Sequence, residues 1–294
     1  MKVGYVTLIG RPNVGKSTLL NALINKKIAI TSEKVQTTRN IIEGIYNDED
    51  SQIIFLDTPG IHKSRNGLGR NVNKIALANI NDVDIVLFML PVDEEIGKGD
   101  ELIMEMFKDS PAKKYCLLNK LDKIKNRNLV LEKIAHINKN YNFDEIIPLS
   151  ALTKDNINEL IKTIKDDLEE GEIIYKRDLV STNSEDFTIS EIIREKILYL
   201  TREEVPHSVA VQVEVNQNNE NDEREIFANI IVERKSQKAI IIGKNGQMLA
   251  NINKMSQREL KKELKQKIYL RLHVKVVEDW RNNKNSLNIL GYKL

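Results

Sequence analysis

Cysteine is almost missing from this chain of 294 residues: Cys116 stands alone, so no intrachain disulfide can form, which suits a reducing compartment. Histidine occurs four times, and no Cys/His grouping has the spacing of a zinc site. Aromatic residues make up 5% of the chain, with Trp280 the single tryptophan. The longest apolar run, Ile85 to Leu90, stops at Pro91, well short of the ~18 residues that a bilayer span needs. A removable leader is not expected either, because Lys2 is the only early lysine and a glycine loop already begins at Gly10. No internal repeat is visible. These absences remove the secreted, disulfide-stapled and membrane-spanning classes. What remains, 41% hydrophobic and 30% charged residues, is an ordinary globular mixture with length for two domains.

Net charge is +2, but it is unevenly spread. Residues 234–294 hold 15 Lys+Arg and 4 Asp+Glu, a net of +11, against 30 and 39, a net of −9, over residues 1–233. A basic C-terminal quarter on an acidic chain points to a polyanionic partner, although a solvated helix face such as Lys261–Lys267 gives the same count.

Short β-rich runs (residues 3–9, 53–56, 84–90, 114–118 and 145–149) each lead into a loop, mostly followed by a helical stretch; Ile41–Tyr46 pairs with Ile53–Leu56 across the turn NDEDS. The pattern predicts an α/β domain over 1–170, a mostly parallel six-stranded sheet with helices on both faces and ligands beyond the C-terminal strand ends. Residues 171–189 lose periodicity and read as a linker. From 190 to 294 the order changes to αββααβ, an α+β domain whose long helix is expected over Gln247–Leu264.

Chemistry enters at Gly10-Arg11-Pro12-Asn13-Val14-Gly15-Lys16-Ser17, followed by Thr18, which matches GxxxxGK[ST] between a strand and a helix. Glycines let backbone N–H groups converge on phosphate oxygens, Lys16 adds charge between β- and γ-phosphates, and Ser17 can ligate Mg²⁺. The pattern alone does not choose between ATP and GTP. Asp57-Thr58-Pro59-Gly60 ends the next strand, with Asp57 placed to hold the metal through water and the Gly60 N–H to sense a γ-phosphate. Asn119-Lys120-Leu121-Asp122 follows a later strand. The Asp122 carboxylate can accept from guanine N1–H and the 2-amino group, donors that adenine lacks. Ser150-Ala151-Leu152 offers a backbone N–H for guanine O6. The nucleotide is read as GTP or GDP.

GRPNVGKS, DTPG, NKLD and SAL together resemble the translation-factor-related GTPases, and Gln36-Thr37-Thr38-Arg39 is similar to the first switch of their Era branch. The resemblance implies that Thr38 completes the Mg²⁺ shell, with Thr37 beside it, and that Asn13 holds K⁺. Ile61-His62 stands where Ras-like relatives carry a glutamine, so Lys16, Thr38 and Gly60 are left to carry hydrolysis, which is expected to be slow without a partner or ion. His62 reads as a surface histidine rather than a base.

Ile242-Gly243-Lys244-Asn245-Gly246 lies between two helical stretches and resembles the GxxG clamp of type II KH domains, which holds about four nucleotides. A lone GxxG is weak, and a basic interhelical turn looks the same; its place in αββααβ and the +11 charge strengthen it. Lys244 leads the phosphate-contact candidates, with Lys235, Lys238, Lys254 and Arg258 in support and single-stranded RNA as the expected ligand. Similarity to the Era family then extends over nearly the whole chain. It implies binding near the 3′ end of small-subunit ribosomal RNA, a part in maturation of that subunit, and a monomer in the cytoplasm with some peripheral membrane contact. Nucleotide state is expected to govern RNA holding through the switches Gln36–Arg39 and Asp57–Gly69. An RNA chaperone with structural GTP is the alternative; a phosphotransferase fits poorly beside NKLD. Pro91-Val92-Asp93 after the fourth strand departs from the family pattern. Cys116 reads as a core residue, and Trp280 as packing for the C-terminal helix ahead of a base-stacking platform.

Overall fold

The structure is a computed structural model and describes every residue except 33, 35, 36, 62–67, 70–79, 203, 204, 220–222, 293 and 294. The expectations for Gln36 and His62, and most of the second switch, fall outside the described residues. Two compact units divide the chain. One comprises Met1–Thr31, Thr38–Ser64 and Arg70–Thr182; the other comprises Ser32–Thr37, Arg65–Gly69 and Asn183–Leu294.

The first unit is built on β1 (Lys2–Ile9), β2 (Ile42–Asn47), β3 (Ser51–Asp57), β4 (Ile85–Pro91), β5 (Lys113–Asn119) and β6 (Glu145–Pro148), in the order β2-β3-β1-β4-β5-β6. Only β2 runs antiparallel, as the hairpin partner of β3. Every residue of β3 and β4 is buried, which is why these strands read as unbroken apolar runs rather than alternating ones. Successive β5 side chains serve opposite faces. Cys116 joins Phe88, Phe107 and Ile137 under α2 (Lys98–Phe107) and α3 (Arg127–Asn140), while the Tyr115 hydroxyl reaches Thr163 O and Asp167 on α4 (Ile157–Asp167). The remaining helix, α1 (Lys16–Ile24), follows β1 directly and buries Leu19, Leu20 and Leu23. All four nucleotide motifs therefore leave the C-terminal ends of β1, β3, β5 and β6, the side where ligands collect in such sheets.

The β2–β3 turn is tied by Asp48. Its Oδ1 accepts from Ser51 N (2.8 Å) and Ser51 Oγ (2.7 Å), its Oδ2 from the Tyr46 hydroxyl (3.0 Å) and Lys165 Nζ (3.0 Å). Burial pushes this carboxyl up, but the hydrogen bonds from Ser51 and Lys165 outweigh it and hold the group well below the usual range. A depressed carboxyl adds stability that is complete above its unfolded value and drains as pH falls toward its folded one. Urea midpoints of the natural chain are thus expected to drop more steeply than those of Asp48→Asn as pH falls from about 5 to about 2.5. Parallel curves for the two proteins would refute that.

Residues 171–182 lie along the sheet of the first unit. Val180 O accepts from Ile45 N (3.0 Å), and the fully buried Gln52 takes Ile174 N (2.8 Å) and Tyr175 N (2.9 Å) on its Oε1 while donating to Tyr175 O (2.8 Å). The helix expected from Ser190 begins earlier, as α5 (Glu185–Leu200), because the Ser184 hydroxyl accepts from Phe187 N (3.2 Å) and caps it. The polar stretch read as linker contains this capping residue.

The second unit continues with β7 (Ala210–Asn218), β8 (Arg224–Val232), α6 (Lys235–Ile242), a 3₁₀ turn at Lys244–Gly246, α7 (Gln247–Leu264), β9 (Ile268–Val276) and α8 (Lys284–Ile289). Strand β8 is central, antiparallel to β7 and parallel to β9. Ile193 and Ile197 of α5, Ile252 and Leu260 of α7, and Ile226 and Ile230 of β8 share one core. Trp280 is fully buried, donates Nε1–H to Ser208 O (3.1 Å) and stacks on Tyr292 (5.9 Å between centroids), so it packs the C-terminal end rather than offering a face to a base.

Candidate functional site

The phosphate loop owes its shape to residues that tolerate left-handed backbone. Asn13 (φ 64°) and Gly15 (φ 108°) both lie there, and Gly15 caps α1, leaving the first N–H groups of that helix open to an anion. Lys16 is buried, its Nζ donating to Gly10 O and Arg11 O at 3.1 Å each, and loss of hydration lowers its pKa to about 8. Two carbonyls thus hold the ammonium where phosphate oxygens would improve on them.

Beside it the hard oxygens converge. Ser17 Oγ donates to Asp57 Oδ2 (2.6 Å) and lies 2.8 Å from Thr38 Oγ1, which in turn donates to Asp57 Oδ2 (3.4 Å). Burial pushes Asp57 up to about 6, and its Oδ1, buried as well, has no hydrogen-bond partner among the described residues. Two hydroxyls and a desolvated carboxylate with a spare oxygen form a donor set that fits Mg²⁺. Thr37 is turned elsewhere, its hydroxyl donating to Lys34 O (2.6 Å), so the structure brings Thr38 to this set. The DTPG turn packs directly on the phosphate loop: a Cβ on Gly60 would stand 2.7 Å from Pro12 N, and Thr58 Oγ1 donates to Leu8 O (2.5 Å). Pro59 is buried beside them.

The loops that carry NKLD and SAL meet the GxxxxGKS loop through one side chain. Asn119 Nδ2 donates to Val14 O (2.8 Å), and its Oδ1 accepts from Ala151 N (2.9 Å). Lys120 takes a left-handed turn (φ 71°), after which the Asp122 carboxylate accepts from the Ser150 hydroxyl. Asp122 is exposed, not buried as its expected role requires, so its desolvation has to come from the base itself. Leu152 stands exposed beside it. The Arg11 side chain turns away from the loop to Asp100 and Glu94, two acidic residues that the motif pattern does not reveal.

In the second unit, Gly243 (φ 71°) adopts a backbone open to glycine, and a Cβ there would meet Met248 Cβ at 2.6 Å. Asn245 (φ 51°) and Gly246 (φ 77°) complete the turn; Lys244 is exposed at its tip, and Ile242 packs half-buried against the core. Lys235, Lys254 and Arg258 are exposed and Lys238 is partly so. A cleft of about 700 Å³ runs from Gly246 along α7 to β8 and β9, lined by Leu249, Asn253, Lys254, Asn229 and His273 among others. The Arg271 guanidinium sits over the rings of Tyr269 (5.2 Å) and Phe227 (5.5 Å), giving the cleft wall a flat cationic stack suited to unstacked bases. The helical lysines stand out in the sequence, whereas this wall does not. Its signal was the alternation Tyr269, Arg271, His273 between apolar residues of β9.

Cys116 is buried in the sheet, which pushes its thiol up to about 12 and leaves it unreactive. Among the described residues no helix is long and apolar enough to cross a membrane.

Comparison with known proteins matches both units of the chain. Residues 5–120 match the family described as 50S ribosome-binding GTPase, and residues 204–281 match the KH domain. The curated GTPase Era of Staphylococcus haemolyticus (strain JCSC1435) is 47% identical over 292 residues, covering 99% of this chain and 97% of that protein. Two solved Era structures superpose with TM-scores of 0.97 at 41% identity over 100% of both chains. One is a tyrosine-to-alanine variant of Aquifex aeolicus Era bound to GDP·AlF4⁻; the other is Era in complex with MgGDPNP and nucleotides 1506–1542 of 16S ribosomal RNA. The GxxxxGKS loop, the NKLD and SAL turns and the KH fold thus lie in one chain that belongs to the Era family of GTPases.

Proposed function

We propose that this GTPase binds the single-stranded 3′ region of small-subunit ribosomal RNA through its KH domain and serves maturation of the small ribosomal subunit, with GTP and GDP setting when the RNA is held. The observation that carries the reading is the pairing of a metal-ready Ser17–Thr38–Asp57 set with a GxxG turn opening onto a basic cleft. A relative of 41% identity has been solved with nucleotides 1506–1542 of 16S ribosomal RNA, which supports the choice of RNA.

In this reading residues 1–170 are the GTPase body, 171–189 join it to the RNA domain, and 190–294 bind RNA. Ser17, Thr38 and Asp57 hold Mg²⁺, which supplies charge against the phosphates. Lys16 exchanges its two carbonyl partners for phosphate oxygens, the Gly60 N–H marks the γ-phosphate, and Thr38 reports the same group from the first switch. Val14, Gly10, Gly15 and Thr18 shape the loop around the phosphates. Asn13, exposed at its bend, holds K⁺. Asp122 reads guanine, and a backbone N–H of the Ser150-Ala151-Leu152 turn meets O6. Slow hydrolysis follows from Ile61 standing where a water-orienting amide would be. The protein works as a monomer in the cytoplasm, and its basic C-terminal quarter permits a peripheral contact with anionic lipid at the inner face of the membrane.

The test is binding of a labelled oligonucleotide with the 3′-terminal ribosomal sequence, in the presence of a GTP analogue and of GDP. With about four phosphates clamped, log K against log salt is expected to slope near −3, and Lys244→Ala to flatten it by about 0.7. A flat salt response removes the electrostatic clamp; equal affinity in the two nucleotide states removes the switch and leaves both sites standing. Equal hydrolysis rates in KCl and NaCl remove K⁺ from Asn13.

A further inference from the structure

We propose that residues 92–100, the connection from β4 and the first turn of α2, form a brace that holds the phosphate loop and the guanine-recognition loop in register, with Asp100 and Asp93 as its positioning residues. The inference rests on the nucleotide reading above and concerns a segment, Pro91-Val92-Asp93 and its continuation, to which that reading gives no task.

At one end the brace grips the phosphate loop. Asp100 is fully buried; its Oδ1 accepts from Arg11 Nε (2.7 Å) and its Oδ2 from Gly97 N (3.0 Å), which also fixes the start of α2. A second guanidinium nitrogen of Arg11 donates to Glu94 (2.9 Å). Arg11 is therefore held at two points, and its carbonyl is one of the two acceptors that hold Lys16 Nζ. The path from the buried carboxylate to the phosphate-binding ammonium is one residue long.

At the other end the brace grips the base loop. Val92 N donates to Asn119 O (2.8 Å), and Asp93 Oδ2 accepts from Lys123 Nζ (2.9 Å), the residue after the guanine-reading Asp122. The segment is also fixed from behind. Lys133 of α3 donates to the carbonyls of Pro91 (2.8 Å), Val92 (3.2 Å) and Glu94, a half-buried ammonium spent wholly on loop backbone. A loop clamped along its back and bonded to both nucleotide loops cannot let one shift without the other.

Asparagine at 100 keeps the size of the side chain but offers one acceptor to two donors, so Arg11 or Gly97 N is left facing an amide N–H. Release of fluorescent GDP from the full chain is the readout. Asp100→Asn is expected to speed it roughly tenfold, the order of losing one charge-assisted bond, Asp93→Asn, whose pair with Lys123 is half-exposed, by about two- to fivefold, and the double variant by less than the product, because either cut slackens the same brace. Guanosine, which has no phosphate, is expected to compete for Asp100→Asn as well as for the natural chain, an outcome that general loosening of the fold does not give. Should Asp100→Asn fail to fold, Arg11→Met breaks the same contact from its exposed side and is expected to match it. Natural release rates in Arg11→Met, or rate effects at the two ends that simply multiply, overturn the brace while nucleotide binding stands. A natural chain that takes up no fluorescent GDP overturns the nucleotide reading and the brace with it.

Discussion

Asp122→Asn is expected to cost GTP and GDP about four orders of magnitude in affinity and to make xanthosine nucleotides the better ligands. The carboxylate offers two acceptors to two guanine donors, N1–H and the 2-amino group. An amide offers one acceptor and one donor, so the 2-amino group of guanine meets an N–H2, whereas the 2-oxo group of xanthine meets a partner. Sites that hydrogen-bond a ligand this way discriminate by ~10⁴–10⁵ because the mismatched groups are left desolvated and unpaired. The structure adds the orientation: Ser150 Oγ donates to one carboxylate oxygen, so the group is aimed before the base arrives. Ser150→Ala therefore acts more weakly, about tenfold on GDP, with the base preference retained. Competition of GDP and XDP against a fluorescent nucleotide measures both; an Asp122→Asn chain that still prefers GDP sinks the assignment.

Gly15→Ala is the second large effect. At φ 108° any side chain is strained, and here the new Cβ would lie 2.2 Å from Asn119 Nδ2. Asn119 cannot simply turn aside, since it holds Val14 O with that nitrogen and Ala151 N with its oxygen. One methyl group thus disconnects the phosphate loop from both base loops. GDP affinity is expected to fall by at least ~100-fold, equivalent to losing about two charge-assisted hydrogen bonds. Asn119→Ala makes the same disconnection without the strain at φ 108° and should weaken GDP by a smaller factor. Calorimetric titration separates them, and natural affinity in Gly15→Ala would show that the three loops are not joined through Asn119.

The nucleotide motifs were legible because each is a local requirement: a glycine where the backbone must turn left, a lysine at the helix start, a carboxylate at a strand end. Helix α7 occupies the span expected for it, Gln247–Leu264, because Gly246 bounds it before an amphipathic run. Contacts across long separations were not legible. Arg11 and Asp100 stand 89 residues apart, and no spacing rule joins an arginine in a phosphate loop to a buried helix-capping aspartate. The stack of Arg271 on Phe227 depends on the parallel pairing of β8 and β9, which brings residues 44 apart side by side. The start of α5 was missed for a different reason: Ser184 and its neighbours are turn formers by composition, and only the hydrogen bond to Phe187 N shows one of them opening a helix.

The strip of chain from 174 to 182 has a practical meaning for anyone cutting this protein in two. Strand β2 is the outermost of its sheet, and a bare strand flank invites pairing with a neighbouring molecule. Val180 and Ser181 already satisfy that flank at Ile45 and Gly44, while Gln52 anchors the strip beneath. A nucleotide-binding fragment ended at residue 170, where the helical pattern stops, would leave the flank open to self-association. One carried through Thr182 brings its own cover.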